Sequence, residues 1–181
     1  TSFSGCVSGT PLTIMEIQGA GHFSAYEGQS VQTDGIVTVV RTFSFYMQDA
    51  AGDGNDATSD GILVFTGSNP GVAVGDAVTV VGEVDEFYPD GFDTGNLSTT
   101  ELINVDVTVN SSGNPLPAAT VLGNGGRIPP NTIIDDDSTG DVNNTPTFDP
   151  ENDGIDFYES LEAMLVQVND KWHLWDLGHC S

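Results

Sequence analysis

The chain predicts an all-β protein organised around one small barrel. Five segments dense in β-branched and aromatic residues, at 31–40, 43–48, 61–65, 76–88 and 99–109, are separated by breaks at Gly, Asp, Asn or Pro. Five strands in about 80 residues suit a closed barrel better than a two-sheet sandwich, which usually needs about seven. Residues 111–154 contain no sustained hydrophobic period, so the strand signals end at about residue 110.

In the fourth segment Val78, Val80, Gly82 and Val84 fall on one face and Thr79, Val81 and Glu83 on the other, the period of a strand half-buried in a sheet. Gly35, Gly75 and Gly82 fit bends or close backbone approach. The expected fold is a five-stranded OB-fold-like Greek-key barrel over residues 28–110, with Val37, Val39, Leu63, Phe65, Val78 and Val80 in its core. Residues 1–27 precede it as an N-terminal extension. Residues 111–154, rich in Asn, Gly, Pro and Asp and including Asp135, Asp136 and Asp137, read as a long irregular linker, the acidic run as a solvated one. From 155 apolar content resumes: Phe157, Leu161 and Met164 stand at helical spacing, and 164–168 reads as a strand. The stretch 171–181 holds both Trp residues and the single Lys, a composition unlike the rest.

Arg41, Arg127 and Lys171 stand against 27 acidic residues, giving a formal charge of −24. Such a chain repels itself at low ionic strength and stays soluble where salt screens the repulsion or divalent cations neutralise it, so halophilic or seawater-like surroundings are expected. The same charge opposes polyanions, whose binding rests on Lys and Arg displacing counterions. With 38% hydrophobic residues, the chain is no disordered acidic tail. No apolar stretch approaches the roughly 20 residues a membrane-spanning helix needs, and no membrane partner is expected. Cys6 and Cys180 lie near opposite ends. In an oxidising compartment they can pair, a constraint of about 4–5 kcal/mol for loops on the order of 100 residues; the alternative is two unrelated thiols.

Asp49, Asp53, Asn55, Asp56, Thr58 and Asp60 gather oxygen ligands on one loop, the donor type Ca²⁺ takes, although the spacing is not that of an EF-hand; the alternative is a solvated acidic turn. Asp149, Glu151, Asp153 and Gly154 match the first half of an EF-hand loop, but Ser160 stands where a bidentate Glu is wanted, leaving Glu159 or Glu162 to reach in. Calcium is therefore the expected cofactor. For catalysis, His22, His173 and His179 are the candidate bases, and no Ser lies in a G-x-S-x-G context. His173, His179 and Cys180 match no standard zinc spacing. Glu83 with Glu86, or Asp85 with Glu101, could form the carboxylate pair of a glycosidase, yet in so acidic a chain such pairs arise by chance. No catalytic residue is assigned. For binding, Phe43 and Phe92 lie near an expected ligand set of Arg41, Phe45, Tyr46, Phe87 and Tyr88, on or beside the strands that form the ligand face of OB-folds, where aromatics stack on bases or sugars.

The stretches 14–21, 26–38, 45–49, 53–65 and 74–84 occur in an order that resembles the OB-fold-like region preceding the catalytic domain in large secreted bacterial endonucleases. Residues 148–168 resemble the stretch next to that region on its C-terminal side, so the likeness covers about residues 10–168 and breaks down near Lys171. It implies an accessory region of a secreted extracellular nuclease. The chemistry it implies resides in a metal-dependent endonuclease/exonuclease/phosphatase-type domain that these residues do not include.

Three readings compete. The first is a non-catalytic module that assists nucleic-acid engagement, with single-stranded DNA as ligand, or docks against the catalytic nuclease domain. A calcium-stabilised carbohydrate-binding or structural module is the second. The third is a small extracellular hydrolase using a carboxylate pair.

Overall fold

The computed structural model describes residues 8–91, 96–136 and 147–169. Its elements are β1 (Thr10–Pro11), α1 (Ile14–Gln18), β2 (Ser30–Val40), β3 (Ser44–Gln48), β4 (Gly61–Phe65), β5 (Ala77–Phe87), β6 (Thr99–Ser111), β7 (Thr120–Leu122), α2 (Gly154–Glu159) and β8 (Val166–Val168). The protein is all-β, with two short helices set against its sheets. Strands β2 to β6 fall on the five expected segments, with ends displaced by at most two residues.

One sheet runs β1-β2-β3-β4-β6-β5, and β5 pairs again with β2. The pairings β2–β3, β3–β4, β6–β5 and β5–β2 are antiparallel, and β4–β6 is parallel through Leu63↔Glu101 and Val64↔Leu102. Thus β2, β3, β4, β6 and β5 form a circuit of pairings. Strand β5 alternates as its sequence predicts, with Val78, Val80 and Val84 buried. At Gly82 a Cβ would lie 2.8 Å from the Val105 side chain and 3.1 Å from the Ile103 carbonyl oxygen, so β6 crosses too close for any larger residue.

Half of the expected core lies elsewhere. Val37, Val78 and Val80 are buried, but Val39, Leu63 and Phe65 are not. A register shift between Val37 and Val39 breaks the alternation of β2, buries Thr38 and turns Val39 outward. In β4 every position from Ile62 to Phe65 is apolar, and it is Ile62 and Val64 that enter the core while Phe65 stays 44% exposed.

The N-terminal segment belongs to the same core. Thr13 caps α1 through a reciprocal box: its Oγ1 accepts from Glu16 N–H at 3.2 Å, and its own N–H donates to Glu16 Oε2 at 2.8 Å. The helix packs against β2 and β4 and buries Ile14 and Ile17 completely. Strand β1 extends the sheet as a parallel neighbour of β2.

The C-terminal part is seated on this body. Within the stretch expected to be irregular, residues 120–122 form β7, which pairs in parallel with β8. Leu122, Phe157 and Leu161 make a second small core. Arg127 holds it to the acidic loop: its guanidinium lies 4.7 Å over the Phe157 ring and donates to the Asp56 carbonyl at 2.9 Å and Ser160 Oγ at 3.0 Å. Gly61 meets Ala163 backbone to backbone, since a Cβ there would lie 2.5 Å from the Ala163 carbonyl oxygen. Leu165 N–H donates to Gln48 Oε1 at 2.9 Å. Among the described residues no helix is long and apolar enough to cross a membrane.

Candidate functional site

The outward faces of β3 to β6 enclose an open groove of about 670 Å³. The alternation that sends Ile62, Val64 and Leu102 inward leaves Leu63, Phe65, Glu101 and Ile103 to line it, and β5 contributes Asp85 and Phe87. Asp85 and Glu101 are direct partners in the antiparallel β5–β6 ladder, and Glu101 is also the partner of Leu63 across the parallel pair. Two carboxylates therefore meet on the floor between apolar walls, and among the described residues no Lys or Arg lines the groove.

Glu101 is 5% exposed, and among the described residues no donor bonds its carboxyl. Burial, with the Asp85 charge adding to it, pushes Glu101 up to about 7. A carboxyl in this state accepts or donates a hydrogen bond near neutrality, and a cation that enters beside it favours its ionised form.

The expected ligand residues divide. Phe87 reaches the groove, 47% exposed. Phe45 does not: it is 0% exposed in the core, because β3 alternates Phe45 and Met47 inward against Ser44 and Tyr46 outward. Tyr46 carries Arg41, whose guanidinium lies 5.3 Å from the ring centroid, on the β2–β3 hairpin beside the groove. Tyr88 is half-buried just past β5. Phe92, His173, His179, Cys6, Cys180 and Asp137 lie outside the described residues. Sequence reasoning weighed Asp85 with Glu101 as one acidic pair among many and placed Phe65 in the core; only strand register shows that the three share a surface.

The loop between β3 and β4 spends most of its oxygens on itself. Asp49 Oδ1 accepts from Ala51 and Gly52 N–H at 2.8 Å, Asp53 accepts from Asn55 N–H at 2.8 Å and Thr58 Oγ1 at 3.0 Å, and Asn55 Oδ1 accepts from Ala57 N–H at 3.2 Å. Asp56 Oδ2 lies 3.7 Å from Arg127 Nε. Asp60 is raised above the usual carboxylate value by burial, with Asp53, Asp49 and Asp56 repelling it, and its Oδ1 is buried without a hydrogen-bond partner among the described residues. In the second acidic segment Asp149 Oδ2 accepts from Asn152 Nδ2 at 2.8 Å, Glu151 is exposed, and Asp153 is buried at the start of α2. Burial raises Asp153 as well, and Asp136 and Asp156 add repulsion. Among the described residues no three His, Cys, Asp or Glu side chains converge as a metal-holding group.

A polar cluster that sequence reasoning did not assemble lies between the six-stranded sheet and α2, and it takes up His22, one of the candidate bases. His22 is buried, with Nε2 2.8 Å from Asp156 Oδ1 and Nδ1 3.2 Å from Glu159 Oε2, the latter within ion-pair range but off the line of a hydrogen bond. Phe148 meets the imidazole edge-on at 5.6 Å. Burial pulls His22 down, but Glu159 and Asp156 together outweigh it and hold the group above its ordinary value. Glu86 accepts from Ser24 N–H at 2.8 Å and Thr100 Oγ1 at 3.0 Å, and Glu162 from Thr100 N–H at 3.1 Å and Gln18 Nε2 at 3.3 Å. Burial raises both carboxyls, Glu162 well above its usual value, with repulsion from Glu159 adding to each. Rich in fixed bonds, and open to the surface only along Glu159 and Glu162, this cluster fastens α2 to the sheet.

The profile of a domain of unknown function, DUF8508, matches residues 121–174, which include β8, α2 and part of β7. No curated protein matches the chain.

Proposed function

We propose that the chain is a non-catalytic binding module of OB-fold type from a secreted nuclease, and that it works by docking to a protein partner, such as the catalytic nuclease domain, rather than by gripping nucleic acid. The fold reading rests on the circuit of pairings with a single parallel join between β4 and β6, the connectivity of a five-stranded Greek-key barrel. The nuclease setting rests on the order of resembling stretches along residues 10–168.

The groove floor carries the choice of docking over nucleic acid. A phosphate chain laid there would meet Asp85 and Glu101, and it would find few counter-charges nearby. Of the described cations, Arg41 stacks on Tyr46, and Arg127 is bound to Asp56 and Ser160. The carbohydrate-binding reading shares the same groove, since aromatic walls with carboxylates also suit sugars.

Calcium enters this proposal as a counter-charge for the loop at 49–60, supported by the repulsion that Asp60 receives from Asp49, Asp53 and Asp56.

The test is fluorescence anisotropy with labelled single-stranded oligonucleotides over a salt series, together with a plasmid-cutting assay. The isolated chain is expected to cut nothing and to bind DNA with Kd weaker than about 0.1 mM at physiological salt, with a shallow salt slope. Submicromolar binding with a steep slope, or turnover, overturns the docking reading. A gene that does not continue into an endonuclease domain beyond residue 168 overturns the nuclease setting.

A further inference from the structure

We propose that the groove over β4 and β6 receives an arginine or lysine side chain of the docking partner, with Asp85 and Glu101 taking the charged head and Phe65 and Phe87 flanking its apolar stem. This inference rests on the docking reading and names the chemistry that the partner must present.

Glu101 is the observation that points to a ligand. A carboxyl on a residue 5% exposed would ordinarily be bonded, because an unpaired buried charge is costly. Here no donor among the described residues serves it, and its neighbour across the ladder is a second carboxylate. From β5 Asp85 faces it; β4 and β3 contribute Leu63, Phe65 and Ser44, and β6 adds Ile103 and Asn104, none of which titrates. The groove therefore presents paired acidic groups with no counter-ion among the described residues.

Four ligand chemistries can be ranked against that floor. An anion adds to the repulsion. A sugar hydroxyl supplies hydrogen bonds but leaves two like charges opposed. A bare divalent cation would neutralise them, yet calcium takes six to eight oxygens, and the walls here are Leu63, Phe65, Phe87 and Ile103. An organic cation satisfies both parts: guanidinium or ammonium donors meet the carboxylates, and the aliphatic stem lies against the apolar walls. Phe65 and Phe87, 44% and 47% exposed, add aromatic faces that attract the same head group.

The proposal predicts a pH dependence with a definite sign. A bound cation favours ionised Glu101, so binding displaces a proton wherever the free carboxyl still holds one. With that carboxyl at about 7, affinity should rise about tenfold between pH 6 and pH 8 and level off above.

The experiment is an NMR titration of ¹⁵N-labelled protein in 0.3 M NaCl with a capped pentapeptide carrying a central arginine. The same peptide with citrulline, its uncharged isostere, serves as comparison, and agmatine and cellopentaose as further arms. The arginine peptide should saturate shifts at Phe65, Asp85, Phe87 and Glu101, and the citrulline peptide should bind at least tenfold more weakly. Glu101→Gln should weaken the arginine peptide tenfold or more and remove the pH rise, Phe87→Ala should weaken it severalfold, and the exposed-site control Glu27→Gln should leave it unchanged. The spectra themselves report whether each variant is folded. Equal binding of the citrulline peptide, an unchanged affinity in Glu101→Gln, or cellopentaose saturating these amides while the peptide does not would each overturn the proposal. Agmatine bound more tightly than the peptide would overturn a protein partner as the source of the cation. Because the nuclease setting is judged from the gene and from DNA assays, the two readings fail separately.

Discussion

His22 Nε2 lies 2.8 Å from Asp156 Oδ1, a buried contact between positions 134 residues apart, and through it the segment ahead of β2 holds α2. Replacing His22 with Gln should cost about 3–5 kcal/mol near pH 6, the range for breaking a buried ion pair and leaving its partner charged. His22 is raised in the folded protein, so its contribution is complete below the ordinary histidine value and is lost as pH rises through the folded one. Urea denaturation of both proteins from pH 5.5 to 9 should show the gap narrowing as pH rises.

Glu86, Glu101 and Glu162 add to the same slope. Each is raised by burial, so the folded state holds protons that the unfolded chain has released, and stability falls as pH climbs through their folded values. The protein should melt higher at pH 5.5 than at pH 8. Glu162→Gln, which keeps an acceptor for Thr100 N–H, should raise the melting temperature at pH 8 by about 2–4 °C and flatten the profile in calorimetry.

Phe45 and Phe87 separate the core from the surface. Phe45→Ala should cost about 3–5 kcal/mol, because a fully buried ring leaves a cavity. Phe87→Ala should change stability by no more than about 0.5 kcal/mol, as exposed positions do. Denaturant midpoints measured side by side check both, and similar losses would mean that the two rings share one environment.

The N-terminal helix should be essential although it is short. Ile17→Ala is expected to cost about 2–5 kcal/mol and Thr13→Ala about 0.5–2 kcal/mol, the first through a core cavity and the second through the lost cap. Loss of helicity without loss of global stability would contradict this.

Calcium at millimolar concentration should raise the melting temperature by a few degrees relative to chelator if it relieves the repulsion on Asp60, and magnesium should do less. Identical melts in chelator and calcium end the proposal for the 49–60 loop.

The strands were legible because β-branched residues cluster between glycine and aspartate breaks, and β5 showed its inward face through strict alternation. In β4 the run Ile62, Leu63, Val64, Phe65 is apolar throughout, so composition carries no phase, and only the register with β3 and β6 decides which residues face in. The bulge in β2 is likewise set by pairing. One signal for α1 did exist, Thr13 three residues before Glu16, the spacing of a capping box. The cluster of His22, Glu86, Asp156, Glu159 and Glu162 left no local trace, because its members come together only when distant segments fold onto one another.

The circuit of strands is joined least firmly where β4 meets β6, through Leu63↔Glu101 and Val64↔Leu102, whereas the β5–β6 ladder runs the length of both strands. The groove lies directly over that join. Anything lodged between Leu63 and Ile103 is therefore a stitch across a seam: it would clamp the shortest of the described joins in that circuit, and its arrival would be felt as slowed amide exchange at Val64 and Leu102, on the far side of the wall from the side chains it touches.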